Sequence, residues 1–154
     1  MNEDAHDTVD FLIRKYNLHD QLPVRLDKIL DSFTLRRHNF TPTTLGFAVV
    51  RPRMVYIGIN QNLNSSYQRL AEAHETGHII AYHPHKLYTC KVEEWYKDEI
   101  EREAQVIAAY LLIPQGAVET YYQEFTTAEL AELLQVPGRL IDLRWVQAKL
   151  RGEL

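Results

Sequence analysis

The run His74-Glu75-Thr76-Gly77-His78 carries the sharpest chemical signal in the sequence. It matches H-E-x-x-H and sits inside a helical pattern. A helix turns about 100° per residue, so side chains four apart lie about 40° from each other. Two imidazoles at that spacing reach one ion from one helix. Neutral imidazole suits Zn2+, a borderline-soft cation that takes nitrogen, sulfur and some oxygen ligands. Glu75, one position along, reaches a water on that ion without filling a coordination position. The chemistry in view is hydrolysis, with the ion polarising a carbonyl and Glu75 taking the proton of the attacking water. The plainer alternative is a helix with two solvated or hydrogen-bonded histidines.

A catalytic zinc takes three protein ligands and leaves one position for water. A third histidine six residues after His78, preceded by a glycine, would serve. Pro84 and Ala81 stand at those places, and His83 and His85 are at other spacings. The segment from Glu99 to Ala104 offers glutamates instead. Glu101 shares a helical face with Ala104, Ala108 and Leu111, and the small residues Ala104 and Gly77 would let two helices approach closely. Glu103 points about 200° away from Glu101. Periodicity leaves the choice between them open, because a helix dipole also favours acidic residues in a first turn. Cys90, between the two segments, is a further thiolate candidate for zinc, with a buried free cysteine as the plainer reading.

These residues need elements to hold them. Val9, Leu12, Ile13 and Tyr16 have helical spacing over residues 5 to 17. Val24, Leu26, Ile29, Leu30 and Phe33 predict a second helix, ending before the Thr/Pro/Asn-rich loop at 39 to 44. LGFAVVRPRMVYIGIN reads as strand, turn and strand about Arg51-Pro52-Arg53. That strand pair offers an edge on which an extended substrate could add. Ser65 or Ser66 is a candidate cap for the motif helix, which runs to Pro84. Residues 83 to 97 show no period and read as loop. DEIEREAQVIAAYLLI is a strong helix stopped by Pro114, and two further helices flank Pro137-Gly138.

The length of 154 residues suits one domain over 1–154, with a C-terminal helical pair over 126–151 packed on it. A net charge of -4 argues against broad nucleic-acid binding, and a single cysteine precludes an internal disulfide. No stretch approaches the roughly 20 apolar residues of a membrane span. The N-terminus lacks the basic start and apolar block of a secretory signal. A cytoplasmic location is the expectation.

With both segments in view, RLAEAHETGHIIAYH and EREAQVIAAYLLIP resemble the ImmA/IrrE family of bacterial and phage metallopeptidases. Arg69, Ala73, His74, Glu75, Gly77 and His78 match that family's first motif. Glu101, Glu103, Ala104, Ala108, Ala109, Leu111, Leu112 and Pro114 match its second, and Ile59 and Asn60 its preceding strand. Gln105 stands where the family often has Asn. The resemblance implies an α+β, zincin-like fold with a small antiparallel sheet, an active-site helix and a C-terminal helix-turn-helix-like region. It implies Glu101 as third ligand beside His74 and His78, Glu75 as base, and Zn2+ as cofactor. It further implies a protein substrate, a helix-turn-helix transcriptional repressor, cut to induce phage, mobile-element or stress genes.

Hydrolysis also calls for a transition-state donor, and Tyr110, Tyr121, Tyr122, His83 and Arg144 are candidates for that or for substrate contact. A rival reading comes from the tail ELAELLQVPGRLIDLRW, itself helix-turn-helix-like. A recognition helix from Gly138 would bring Arg139 and Arg144 to DNA, against the alternative of a helical pair packed on the core. A catalytically silent zinc protein that regulates by binding alone is a third.

Overall fold

A computed structural model of the chain describes residues 1, 3–81, 88–91, 99–121 and 124–153, with side chains at all of these except 88–91 and 121. Residues 1–81 build an N-terminal helix, three strands and the motif helix. The helix α1, Glu3–Tyr16, places Val9 at 0% exposure in the core. The second predicted helix is only one turn, α2, Asp27–Leu30. After it the chain turns extended as strand β1, Thr34–His38, where sequence periodicity carried the helix on. TLRRH has one apolar residue and no alternating pattern. Its strand conformation comes from pairing with a neighbour, a tertiary choice that overrides side-chain preference.

The predicted hairpin is present as β2, Thr44–Arg51, and β3, Met54–Asn60, with Pro52 at the turn. β-Branched and aromatic side chains suit both strands, and a turn position asks no ladder hydrogen bond of Pro52. A fourth strand, β4, Tyr88–Lys91, lies in the segment read as loop. The order is β1-β3-β2-β4. β3 pairs antiparallel with β2 but parallel with β1, so the sheet is mixed where an antiparallel one was expected. β2 is flanked by β3 and β4, so the hairpin has no free edge for a substrate strand. The edges among the described strands are β1 and β4.

One face of the sheet carries Ala48, Ile57 and Ile59, all buried, against the motif helix α3, Ser65–Ile80. Its cap is Asn64 rather than either serine, with Asn64 Oδ1 accepting from the Tyr67 amide at 3.0 Å. Behind α3 lies α4, Glu99–Leu112, buried from Ala104 to Leu112. The two helices meet closely at Gly77, where a Cβ would lie 2.6 Å from the Ala104 carbonyl oxygen. Glycine is therefore required at 77 by approach, not by backbone conformation.

A short helix, α5, Gln115–Tyr121, leads to α6, Thr127–Leu134, and α7, Gly138–Arg151. Thr126 and Glu129 form a reciprocal capping box at the start of α6. Leu130, Leu134, Val136, Leu140 and Ile141 join the same hydrophobic core as α3 and α4. Arg69 of α3 ties these parts together, donating to the Gln135 carbonyl at 3.1 Å and the Val24 carbonyl at 2.7 Å. No helix among the described residues is long and apolar enough to cross a membrane.

Candidate metal centre

His74 and His78 stand one turn apart on α3, at 0% and 1% exposure. Glu101, in the first turn of α4, faces both. His74 Nε2 lies 3.1 Å from Glu101 Oε2 and 3.1 Å from His78 Nε2, and His78 Nε2 lies 3.5 Å from Glu101 Oε1. Ligands about 2.0–2.1 Å from a tetrahedral zinc lie about 3.3 Å from one another. The three groups therefore outline one face of such a tetrahedron. Among the described residues this is the one such cluster of metal-ligating side chains.

The electrostatics favour a ligand-ready carboxylate. Burial alone would push the Glu101 carboxyl up, but hydrogen bonds from His74 and His78, with their charge, hold it at about 2. Glu75 is the opposite case. It is fully buried, and neither carboxylate oxygen has a hydrogen-bond partner among the described residues. Burial first, and the neighbouring Glu101 charge second, push its carboxyl well above the ordinary value. A buried carboxyl with no partner is costly, and where one persists a functional reason is expected. Room for it comes from Gly46 in β2, where a Cβ would sit 3.3 Å from Glu75 Oε1.

Comparison with known proteins agrees with this geometry. The family model of the IrrE N-terminal-like domain, a peptidase family, matches residues 30–145. The chain belongs to this family. It is also 31% identical to an uncharacterized immunity region protein 2 of Bacillus phage phi105, over 88% of this chain and 85% of that protein. The helix with H-E-x-x-H and the glutamate of the next helix together make the metalloendopeptidase arrangement of this IrrE-like chain.

One contributor to the IrrE-like centre escaped the sequence reading. His74 Nδ1 is 2.9 Å from Gln105 Oε1, which suits Nδ1–H donating to the amide oxygen. That bond orients the ring so that Nε2 faces Glu101 and His78, the usual way in which an outer partner orients a ligating histidine. Gln105 is fully buried one turn after Glu101. The sequence signal was there, an amide at i+4 from the ligand, but it registered only as a departure from the family's asparagine. Gly46 left no signal, because its role depends on the strand passing beside Glu75.

The other candidates divide. Glu103, which periodicity left open, lines a surface cleft with Met1 and Gln147 rather than joining the histidines. Tyr110 and Arg144 come together, but not at the metal centre. Tyr110 Oη donates to Glu153 Oε1 at 2.8 Å, and Arg144 Nη1 donates to Glu153 Oε2 at 2.7 Å. Nine residues of helix, about 13 Å, separate Tyr110 from Glu101 along α4. Arg144 is 2% exposed and also donates to the Ile113 carbonyl, so it is not presented to DNA as the rival reading required. Arg139 lies over the Tyr67 ring at 5.3 Å. His83, His85 and Tyr122 lie outside the described residues, as do the side chains of Tyr121 and Cys90, though Cys90 stands opposite Gly46 in the sheet.

Proposed function

We propose that the chain is a zinc-dependent endopeptidase that cuts a helix-turn-helix transcriptional repressor. The observation that carries the chemistry is the triangle of His74, His78 and Glu101 donor atoms with an unpartnered Glu75 carboxyl beside it. Two imidazole nitrogens and one carboxylate are a donor set that suits zinc, and these three residues would hold it. When bound, zinc supplies a Lewis acid and brings the pKa of its water from 15.7 towards about 7.

The remaining steps fall to the chain's own residues. Glu75, its carboxylate held in a dry pocket, accepts a proton from the attacking water and returns it to the leaving amine nitrogen. Its depressed acidity suits both halves of that transfer. Gln105 holds His74 in one orientation throughout. The outer edge of β4 is the place where an extended substrate would lie, since β4 joins β2 next to Gly46 and Glu75.

The repressor as substrate rests on the family and on the phage relative, whose name places it in an immunity region. The proposed setting is the cytoplasm, where such a repressor works. Purified protein with zinc, incubated with the repressor encoded beside it, should give two discrete fragments. Chelation should stop the cut. An intact repressor in the presence of stoichiometric zinc would defeat the substrate assignment, and a protein that takes up no zinc would defeat the mechanism.

A further inference from the structure

Beside the metal centre is a cavity of about 430 Å3 between α1, α2, the hairpin end of the sheet and the last turn of α3. Its walls include Leu12, Ile29, Phe33, Val50, Val55 and His78. Thr8 and Ser32 are also at its margin, and none of the described residues lining it is charged. The space is an apolar recess that opens to solvent near the exposed Ser32. It falls within the range of sites that enclose small ligands. His78 is the link. The residue whose Nε2 lies 3.5 Å from Glu101 Oε1 also lines the cavity, with Ile79 and Ile80 of the same helical turn.

We propose that this cavity is a specificity pocket that takes a large aliphatic or aromatic side chain next to the cleaved bond. The inference rests on the peptidase reading and adds a substrate class to it. A group in the cavity lies beside a residue of the metal centre, which suits a backbone that runs past the metal ligands. The described lining has no charge to meet an acidic or basic side chain, and burying one without a partner is costly. An apolar side chain loses only water there. Val50 and Val55 pair with each other at the hairpin end, and both are partly buried, so they define one wall and can be varied without opening the centre of the core.

Two hydroxamates test the pocket without needing the natural substrate. Acetohydroxamate reaches the metal alone, and an analogue with an isobutyl group adds one branched apolar side chain. On zinc-loaded protein, calorimetry should show the isobutyl compound binding about tenfold tighter or more. Val55→Trp, which fills the cavity, should abolish that preference with zinc content unchanged, and Val55→Ala should keep it. If circular dichroism shows Val55→Trp unfolded, Leu12→Trp from the α1 wall serves instead. Equal affinities in the unaltered protein, or a preference that survives the filling variant, would overturn the pocket alone. Failure of both hydroxamates to bind zinc-loaded protein would overturn the peptidase reading and the pocket with it.

Discussion

The helix α4 carries a buried polar cluster at each end, and the two differ in how well they are satisfied. At the far end, Arg144 Nη1 and Tyr110 Oη share the two Glu153 oxygens, and the Arg144 guanidinium lies 4.0 Å from the Tyr110 ring centre. The charges there are paired, and Arg144 Nε also finds the Ile113 carbonyl. At the near end, three donor atoms crowd together, and Glu75 and Gln105 Nε2 have no hydrogen-bond partner among the described residues. A complete network stiffens a fold, whereas an incomplete one keeps groups in reserve for something else. The far end therefore reads as structure and the near end as chemistry, though both gather charged groups against the same helix.

That contrast predicts opposite responses to mutation. Glu75→Gln should lower cleavage by about 10²–10⁴-fold, the range for general acid–base work, with the zinc content unchanged. His78→Ala should lose both zinc and cleavage. A Glu75→Gln enzyme with near-normal turnover, measured on the cut repressor, would remove the near end's claim to chemistry. At the far end the loss should be in stability. Arg144→Met leaves the Glu153 carboxylate without its ion-pair partner, and breaking a buried pair costs about 3–5 kcal/mol. Glu153 keeps some solvent contact, so the lower figure is the better guide. Urea unfolding should show that drop in the zinc-free protein, while zinc affinity of the folded variant stays as before.

The near end was largely legible in the sequence because its two histidines and Glu75 lie within one turn of a single helix. Glu101 was harder. Its place depends on how α4 crosses α3, which periodicity does not encode, and the family resemblance singled it out. Gln105 and Gly46 act through contacts between elements, so local pattern gave them no role. The same physics explains the fold. Helices α3 and α4 and the β2–β3 hairpin announce themselves by apolar period. Strands β1 and β4 lie at the edges among the described strands and are held by backbone pairing, so TLRRH and YTCK show little alternation. Tyr110 and Arg144 stand as open candidates in the sequence because their burial cannot be seen without the C-terminal turn that brings Glu153 back.

Gln105 sharpens the comparison with a smaller effect. Gln105→Leu keeps the volume roughly but removes the acceptor for His74 Nδ1. Outer partners of metal-ligating histidines are worth about 10–100-fold in metal affinity. Competition with a chelator should place the variant in that range, and Gln105→Asn, the family's commoner residue, should recover part of it if the shorter amide still reaches. An affinity equal to the unaltered protein's would mean that His74 is oriented by packing alone.

The smallest effect belongs to Tyr110, where the far end can be read by pH. Burial, and after it the hydrogen bond to the Glu153 carboxylate, push the Tyr110 hydroxyl up to about 12, against the opposing pull of Arg144 and Arg151. The unfolded chain has an ordinary tyrosine near 10. Between those values the folded state holds the proton and the unfolded state releases it. Stability from this group is therefore complete below about pH 10 and is lost as pH rises towards 12. Tyr110→Phe should cost about 1 kcal/mol at pH 8, the net worth of one hydrogen bond. It should also flatten the fall in stability above pH 10, so that the two proteins' unfolding curves converge there. Parallel curves would show that folding does not raise the Tyr110 hydroxyl, and that the far end is less buried and less fully paired than its geometry indicates.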